Sequence, residues 1–312
     1  MSIHVIDSYS AMRAILTVGL AERPALLERM LAPVVGMYRY FPGEVDLVAM
    51  HHRGSGFRVD RDDGCALAGL EALHEANAWA RIDAALSQAL DVQLLATPDI
   101  DVPDIQVMLV LGDFTDEHFM DVNLGMSANG GTSGYLWLNV WPDQENLARL
   151  EAVAVHELNH NLRYTNAPSY WDPATVTVGE QVVSEGLADA FARQLYGDLG
   201  YTRIGESSLY DDAVYAKVVA NLSVTGMQNF AAYVHGDATA LRFGGTPVGL
   251  PTGAGYAVGN RLVDGYLAAT GRSAAEALLA EASDVIRTAA GKRNPACRRP
   301  VNVAASGTSG SL

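Results

Sequence analysis

Cysteine is nearly absent from this chain. Only Cys65 and Cys297 occur among 312 residues, which excludes a disulfide framework and a CxxC metal or redox site. Charge is sparse too: 18% of residues are Asp, Glu, Lys or Arg, against a usual share of about 25%. The basic residues are the scarcer sign, 21 against 36 acidic, giving a net charge of −15. The densest basic run, Lys292, Arg293, Arg298 and Arg299, lies near the C-terminus. No basic face is therefore on offer to nucleic acid or to an anionic membrane, and a neutral or cationic substrate suits the field better. No run of 18 consecutive apolar residues occurs. The opening MSIHVIDSYSAMR lacks a basic segment followed by an apolar one, so the expectation is a cytoplasmic protein. A P-loop, a dinucleotide glycine fingerprint, a Gly-x-Ser-x-Gly elbow and internal repeats are all missing.

Apolar material, by contrast, is ample at 49%. A chain of this length buries about three quarters of its unfolded surface, enough for a core without covalent staples. Helical spacing runs through 8–40, punctuated by Pro24 and Pro33, and through 66–95 as one long helix. Residues 45–50 and 57–59 read as strands around a glycine-containing turn. The apolar run Ile105–Leu111 reads as a buried strand. An acidic loop with Asp113, Asp116, Glu117 and Asp121 follows. It offers oxygen ligands for calcium but lacks EF-hand spacing, which favours a solvated loop. The glycine-rich stretch 125–134 reads as loop, and 135–141 as a strand stopped by Pro142. Helices are expected over 144–164, 177–196, 209–221, 257–270 and 273–290, then a disordered tail over 292–312. This order predicts an α+β fold. A mixed segment, 1–95, packs on a core, 96–291, with a small sheet, an active-site helix and a mainly helical C-terminal half.

The chemistry concentrates at His156-Glu157-Leu158-Asn159-His160. Residues four apart share a helix face, so both imidazoles reach one ion, and the intervening carboxylate stands beside its open position. A chain of this composition would contain such a pattern by chance only about 0.01 times. On a helical wheel Val153, His156, Glu157 and His160 fall within an arc of roughly 100°, with leucines and Ala154 behind. A catalytic zinc usually takes a third protein ligand. Of the two downstream glutamates, Glu180 fits a capping box with Thr177. Glu185 shares a face with Asp189 one turn on, placing a ligand next to a carboxylate that can orient a zinc-bound histidine.

His156-Glu157-x-x-His160 followed by Ser184-Glu185-Gly186-Leu187-Ala188-Asp189 resembles the gluzincin clan of zinc metallopeptidases. More narrowly, the chain is similar to a bacterial family of unknown function described as Zn-dependent proteases. That family pairs AHExxH and EGLA with a late Gly-Tyr-x-x-Gly, here Gly255-Tyr256-Ala257-Val258-Gly259. Val155 departs from the alanine of that pattern. The resemblance covers most of 1–290. It implies a zincin-like fold, with zinc held by His156, His160 and Glu185 between two helices.

Peptide hydrolysis needs a second electrophile beside the metal. Tyr256 is the favoured candidate, ahead of His235, Arg163 and Tyr164. The expected reaction uses Glu157 as general base, Asp189 to orient a ligand, and a peptide or protein as substrate. Zincins commonly add the substrate to a sheet edge. The strand 135–141, with Gly134, Tyr135 and Trp137, is the expected edge, with Gly130, Gly131 and Gly134 allowing close backbone approach. His51-His52 is a poor chelating pair, because neighbours on a strand point apart. Competing readings are a catalytically silent zinc-binding protein of the same fold, a zinc amidohydrolase acting on a small or modified peptide, and a metal-free helical protein.

Overall fold

The sheet is organised around the apolar run at 105–111. A computed structural model describes residues 2–41, 43–62, 64–167 and 173–291; the tail expected to be disordered lies outside them. The chain opens with β1 (Ile3–Val5), α1 (Ser8–Thr17) and α2 (Arg23–Leu31), and a 3-10 turn over Ala32–Tyr38. Next come α3 (Leu47–Arg53), α4 (Ala66–Glu75), α5 (Ala78–Ala96) and β2 (Ile105–Leu111). Then follow β3 (Met126–Asn129), β4 (Tyr135–Val140), α6 (Gln144–Asn166) and α7 (Val178–Tyr196). The chain continues through α8 (Asp212–Val219), α9 (Asp237–Arg242), α10 (Ala254–Thr270) and α11 (Ala282–Gly291). The α+β expectation holds.

The sheet order is β1-β2-β4-β3. β1, β2 and β4 run parallel, and β3 is antiparallel to β4. β2 is buried at every position but Gln106, as a parallel strand covered on both faces requires. In β4, Leu136, Leu138 and Val140 are buried while Tyr135 and Trp137 are half-buried. α1 and α4 pack on β2, α5 on β1, α6 on β4, and α7 bridges α6 and α10. One hydrophobic cluster runs from Met12 to Ala289.

Five local expectations are corrected. Residues 45–50 are not a strand: Asp46 accepts the Ala49 N–H at 2.9 Å and starts α3, so a capping carboxylate overrides a β-prone run. His51 and His52 are therefore helical. Residues 57–59 form no strand; Phe57 donates its N–H to the Leu111 carbonyl, and Gly56 and Gly112 form an isolated bridge. The 66–95 helix breaks at Asn77, which adopts φ 53°. The stretch 125–134 is not all loop, since 126–129 is the edge strand β3. The acidic loop is only partly solvated: Asp113 is buried and accepts from the Thr115 N–H, and Asp116 pairs with Arg242 at 2.6 Å. No helix among the described residues is long and apolar enough to cross a membrane.

Candidate metal centre

α6 begins at Asp143, whose carboxylate accepts the Asn146 N–H. Every residue from His156 to Arg163 is buried. α7 starts at the expected capping box: the Thr177 hydroxyl accepts the Glu180 N–H at 3.0 Å, and the Glu180 carboxylate accepts the Thr177 N–H at 2.7 Å. Glu180 is thus spent on its own helix. Glu185, five residues further along the same helix, faces α6.

Three donor atoms converge between these helices. His156 Nε2 and His160 Nε2 lie 3.0 Å apart, and each is 3.2 Å from Glu185 Oε2. Among the described residues this trio is the group that could hold a metal ion. A tetrahedral cation with bonds of about 2.0–2.1 Å separates its ligands by about 3.3 Å, close to these spacings. The outer nitrogens decide which atoms face inward. His156 Nδ1 donates to Asp189 Oδ1 at 2.8 Å, and His160 Nδ1 lies 3.2 Å from Ser184 Oγ. With Nδ1 carrying the proton, each Nε2 presents a lone pair. Two lone pairs and a buried carboxylate aimed at one point repel one another unless a proton or a metal cation stands between them. The residues fit a divalent metal.

Asp189 is fully buried and accepts three further bonds, from the Thr202 N–H at 3.0 Å, the Thr202 hydroxyl at 2.7 Å and the Asn260 amide at 2.6 Å. Burial opposes charge on His156, but hydrogen bonds to Asp189 and Glu185 outweigh it and hold its pKa well above that of ordinary imidazole. Burial would raise Glu185, yet the imidazoles of His160 and His156 dominate and hold it well below the carboxylate range. Burial raises Glu157, against the pull of both histidines. Burial and then the charges of Glu185 and Glu157 raise Tyr256 well above an ordinary phenol, so it stays a neutral donor.

A cleft crosses the triad in two lobes. Glu157, His235, Tyr256 and Ala128 line both. His160, Glu185 and Tyr164 belong to the first lobe and His156 to the second. Tyr256 sits 6.4 Å from His156 between ring centroids, so the structure brings it to the trio. His235 is 5.6 Å from Tyr256 by the same measure. Burial lowers its pKa. Burial, its first cause, pushes Tyr164 up to about 12, and its hydroxyl bonds Ser184 at 2.8 Å. Arg163 is not in the cleft: its guanidinium donates to the carbonyls of Leu278 and Ala280.

The expected substrate edge is corrected. Tyr135 and Trp137 lie on β4, which is flanked by β2 and β3 and has no free edge. Gly134 has φ +86° and donates its N–H to Asn161 Oδ1, a structural turn. The edge strand beside the cleft is β3, and a Cβ on Gly130 would overlap the Glu157 carbonyl, so close approach is required there.

Several positions escaped the sequence. Asn161 follows the second histidine, and its amide donates to the carbonyls of Gly130, Thr132 and Tyr135, pinning the β3–β4 loop to α6. Its position beside the motif is the only local signal. Ser184 touches the His160 ring, and Thr202 and Asn260 hold Asp189 in place behind His156; nothing in their spacing announces these roles.

The family described as "Predicted Zn-dependent protease (DUF2268)" matches residues 78–287. The "Uncharacterized protein YjfC" of Bacillus subtilis (strain 168) is 30% identical over 228 residues, covering 70% of this chain and 73% of that protein. No solved structure matches.

Proposed function

The chain belongs to this family of predicted Zn-dependent proteases, and from that premise we propose that it is a zinc peptidase of zincin-like fold, with 96–291 as its core and 1–95 packed against it. One observation carries the reading: Nε2 of His156, Nε2 of His160 and Oε2 of Glu185 meet within 3.0–3.2 Å of one another, with both outer imidazole nitrogens already engaged. A zinc ion held there would supply Lewis-acid activation of water and of the scissile carbonyl.

The remaining work falls to this chain's own groups. Glu157, beside the trio and raised by burial, accepts the proton of the attacking water and delivers it to the leaving amine nitrogen. The neutral Tyr256 hydroxyl donates to the oxyanion that develops on the carbonyl. Asp189 fixes the His156 tautomer. The substrate backbone pairs with β3. The Trp141 N–H donates to the Gly125 carbonyl at 2.8 Å, so ladder alternation turns the bonds of Gly125, Ser127 and Asn129 toward β4 and those of Ala128 outward. Ala128 stands midway along the cleft, and a peptide strand laid there crosses the trio.

The test is metal analysis together with hydrolysis of a peptide library by wild type and Glu157→Gln. The expected result is about one zinc per chain in both proteins and activity in the wild type alone. A Glu157→Gln protein as active as wild type, or metal-free protein that still cleaves, overturns the assignment.

A further inference from the structure

The two lobes of the cleft differ in charge. The lobe beyond Asn129 is larger, 230 Å³, and carries Val176, Met227 and Phe230. The lobe beside Met126 is smaller, 110 Å³, and is lined by Arg149 and Arg203. Two arginines in one small cavity stand out in a chain of net charge −15.

Their surroundings separate them. Arg149 Nη2 lies 2.9 Å from Glu206, and its Nη1 donates to the Tyr201 carbonyl. Its Nε is buried and without a partner among the described residues. Arg203 is half-buried, and its Nη1 reaches the Leu124 carbonyl at 3.4 Å and Asn146 Oδ1 at 3.3 Å. Both are neutral acceptors. The Asn146 amide is fixed by donating to Leu124 and Trp141 carbonyls at 3.0 Å each, so its oxygen is held toward Arg203. Among the described residues no carboxylate pairs with Arg203. A partly desolvated guanidinium with only neutral partners is a ready anion site, and its planar fork suits a carboxylate.

Strand direction says which carboxylate. A substrate pairing antiparallel to β3 passes its N-terminal side over Asn129 and Gly130 and its C-terminal side over Ser127 and Met126, into the arginine lobe. The parallel alternative would bring an ammonium group to two guanidinium groups. We propose that Arg203, assisted by Arg149, binds the C-terminal carboxylate of a peptide, making the enzyme an exopeptidase that releases short C-terminal fragments. The proposal rests on the peptidase reading and extends it to the substrate class.

The experiment uses three matched peptides: one ending in a free acid, its C-terminal amide, and an amide with glutamate at the last position. Calorimetry on zinc-loaded Glu157→Gln protein measures binding, and wild type measures kcat/KM. The free acid should bind and react at least about tenfold better than the plain amide, the scale of a charge-assisted hydrogen bond. That ratio should approach one in Arg203→Met and recover partly in Arg203→Lys. Equal behaviour of acid and amide, a ratio that survives Arg203→Met, or a glutamate amide as good as the acid overturns the proposal. A binding preference without turnover by wild type would retain the carboxylate site and remove the peptidase; turnover without preference would do the reverse.

Discussion

Asp189 holds His156 from behind: its Oδ1 accepts the Nδ1 proton across 2.8 Å while Thr202 and Asn260 saturate the rest of the carboxylate. The aspartate has no exposure to solvent, so its only business is with these groups. Through it α6, α7, α10 and the segment after α7 that carries Thr202 meet at one carboxylate.

Asp189→Asn replaces an acceptor with a group that is half donor. His156 then loses its preferred tautomer, and Nε2 loses basicity. Zinc affinity should fall about 10–100-fold, measured by chelator competition, with the protein still folded by circular dichroism. Affinity equal to wild type would mean that the contact does not tune the ligand.

The two glutamates of α7 should separate cleanly. Glu180 closes the capping box, so Glu180→Ala should cost about 1 kcal/mol of stability and leave zinc stoichiometry intact. Glu185→Ala should abolish stoichiometric zinc. Denaturant titration and metal analysis on both variants check the pair; zinc loss in Glu180→Ala would reverse the assignment.

This contrast also marks where the sequence is legible. His156, His160, Glu185 and Asp189 lie on two long helices, where spacing of four residues fixes direction, and Thr177 with Glu180 is a local signal of the same kind. The buried run of β2 was equally readable. β1 and β3 were not, because three or four residues carry no usable period and β3 is partly polar. Missing β3 made β4 look like the edge. Residues 45–50 misled in the opposite direction, since Val45, Leu47 and Val48 read as strand while Asp46 caps a helix. Asn161, Ser184, Thr202 and Asn260 act across the fold and depend on packing that no local pattern encodes.

His51 should make the fold acid-sensitive. It is buried, its Nε2–H donates to the Phe57 carbonyl at 2.8 Å, and its Nδ1 has no partner among the described residues. Burial lowers its pKa to about 3, while the unfolded chain protonates near 6.5. Between these values the unfolded state binds the extra proton. This group's stability is therefore full above about pH 6.5 and is lost as pH falls toward 3, at up to about 1.4 kcal/mol per pH unit. His51→Gln keeps a donor for Phe57 and removes the titration. Urea unfolding across this range should show a shallower decline for the variant; parallel lines would show that His51 takes no part.

The approach of α7 to α10 depends on Gly186 and Gly259. A Cβ on Gly186 would overlap the Gly259 backbone, and one on Gly259 would overlap the Val182 carbonyl. The helices therefore touch backbone to backbone, which brings Glu185 and Asp189 of one beside Tyr256 and Asn260 of the other. In an unobstructed helix interior, glycine to alanine stabilises by up to about 1 kcal/mol. Here overpacking should dominate and cost about 1–3 kcal/mol. Because the helix that must shift carries a ligand, Gly186→Ala should weaken zinc binding as well as lower the melting temperature. A variant as stable as wild type and equally tight for zinc would mean that the helices have room to part without disturbing the trio.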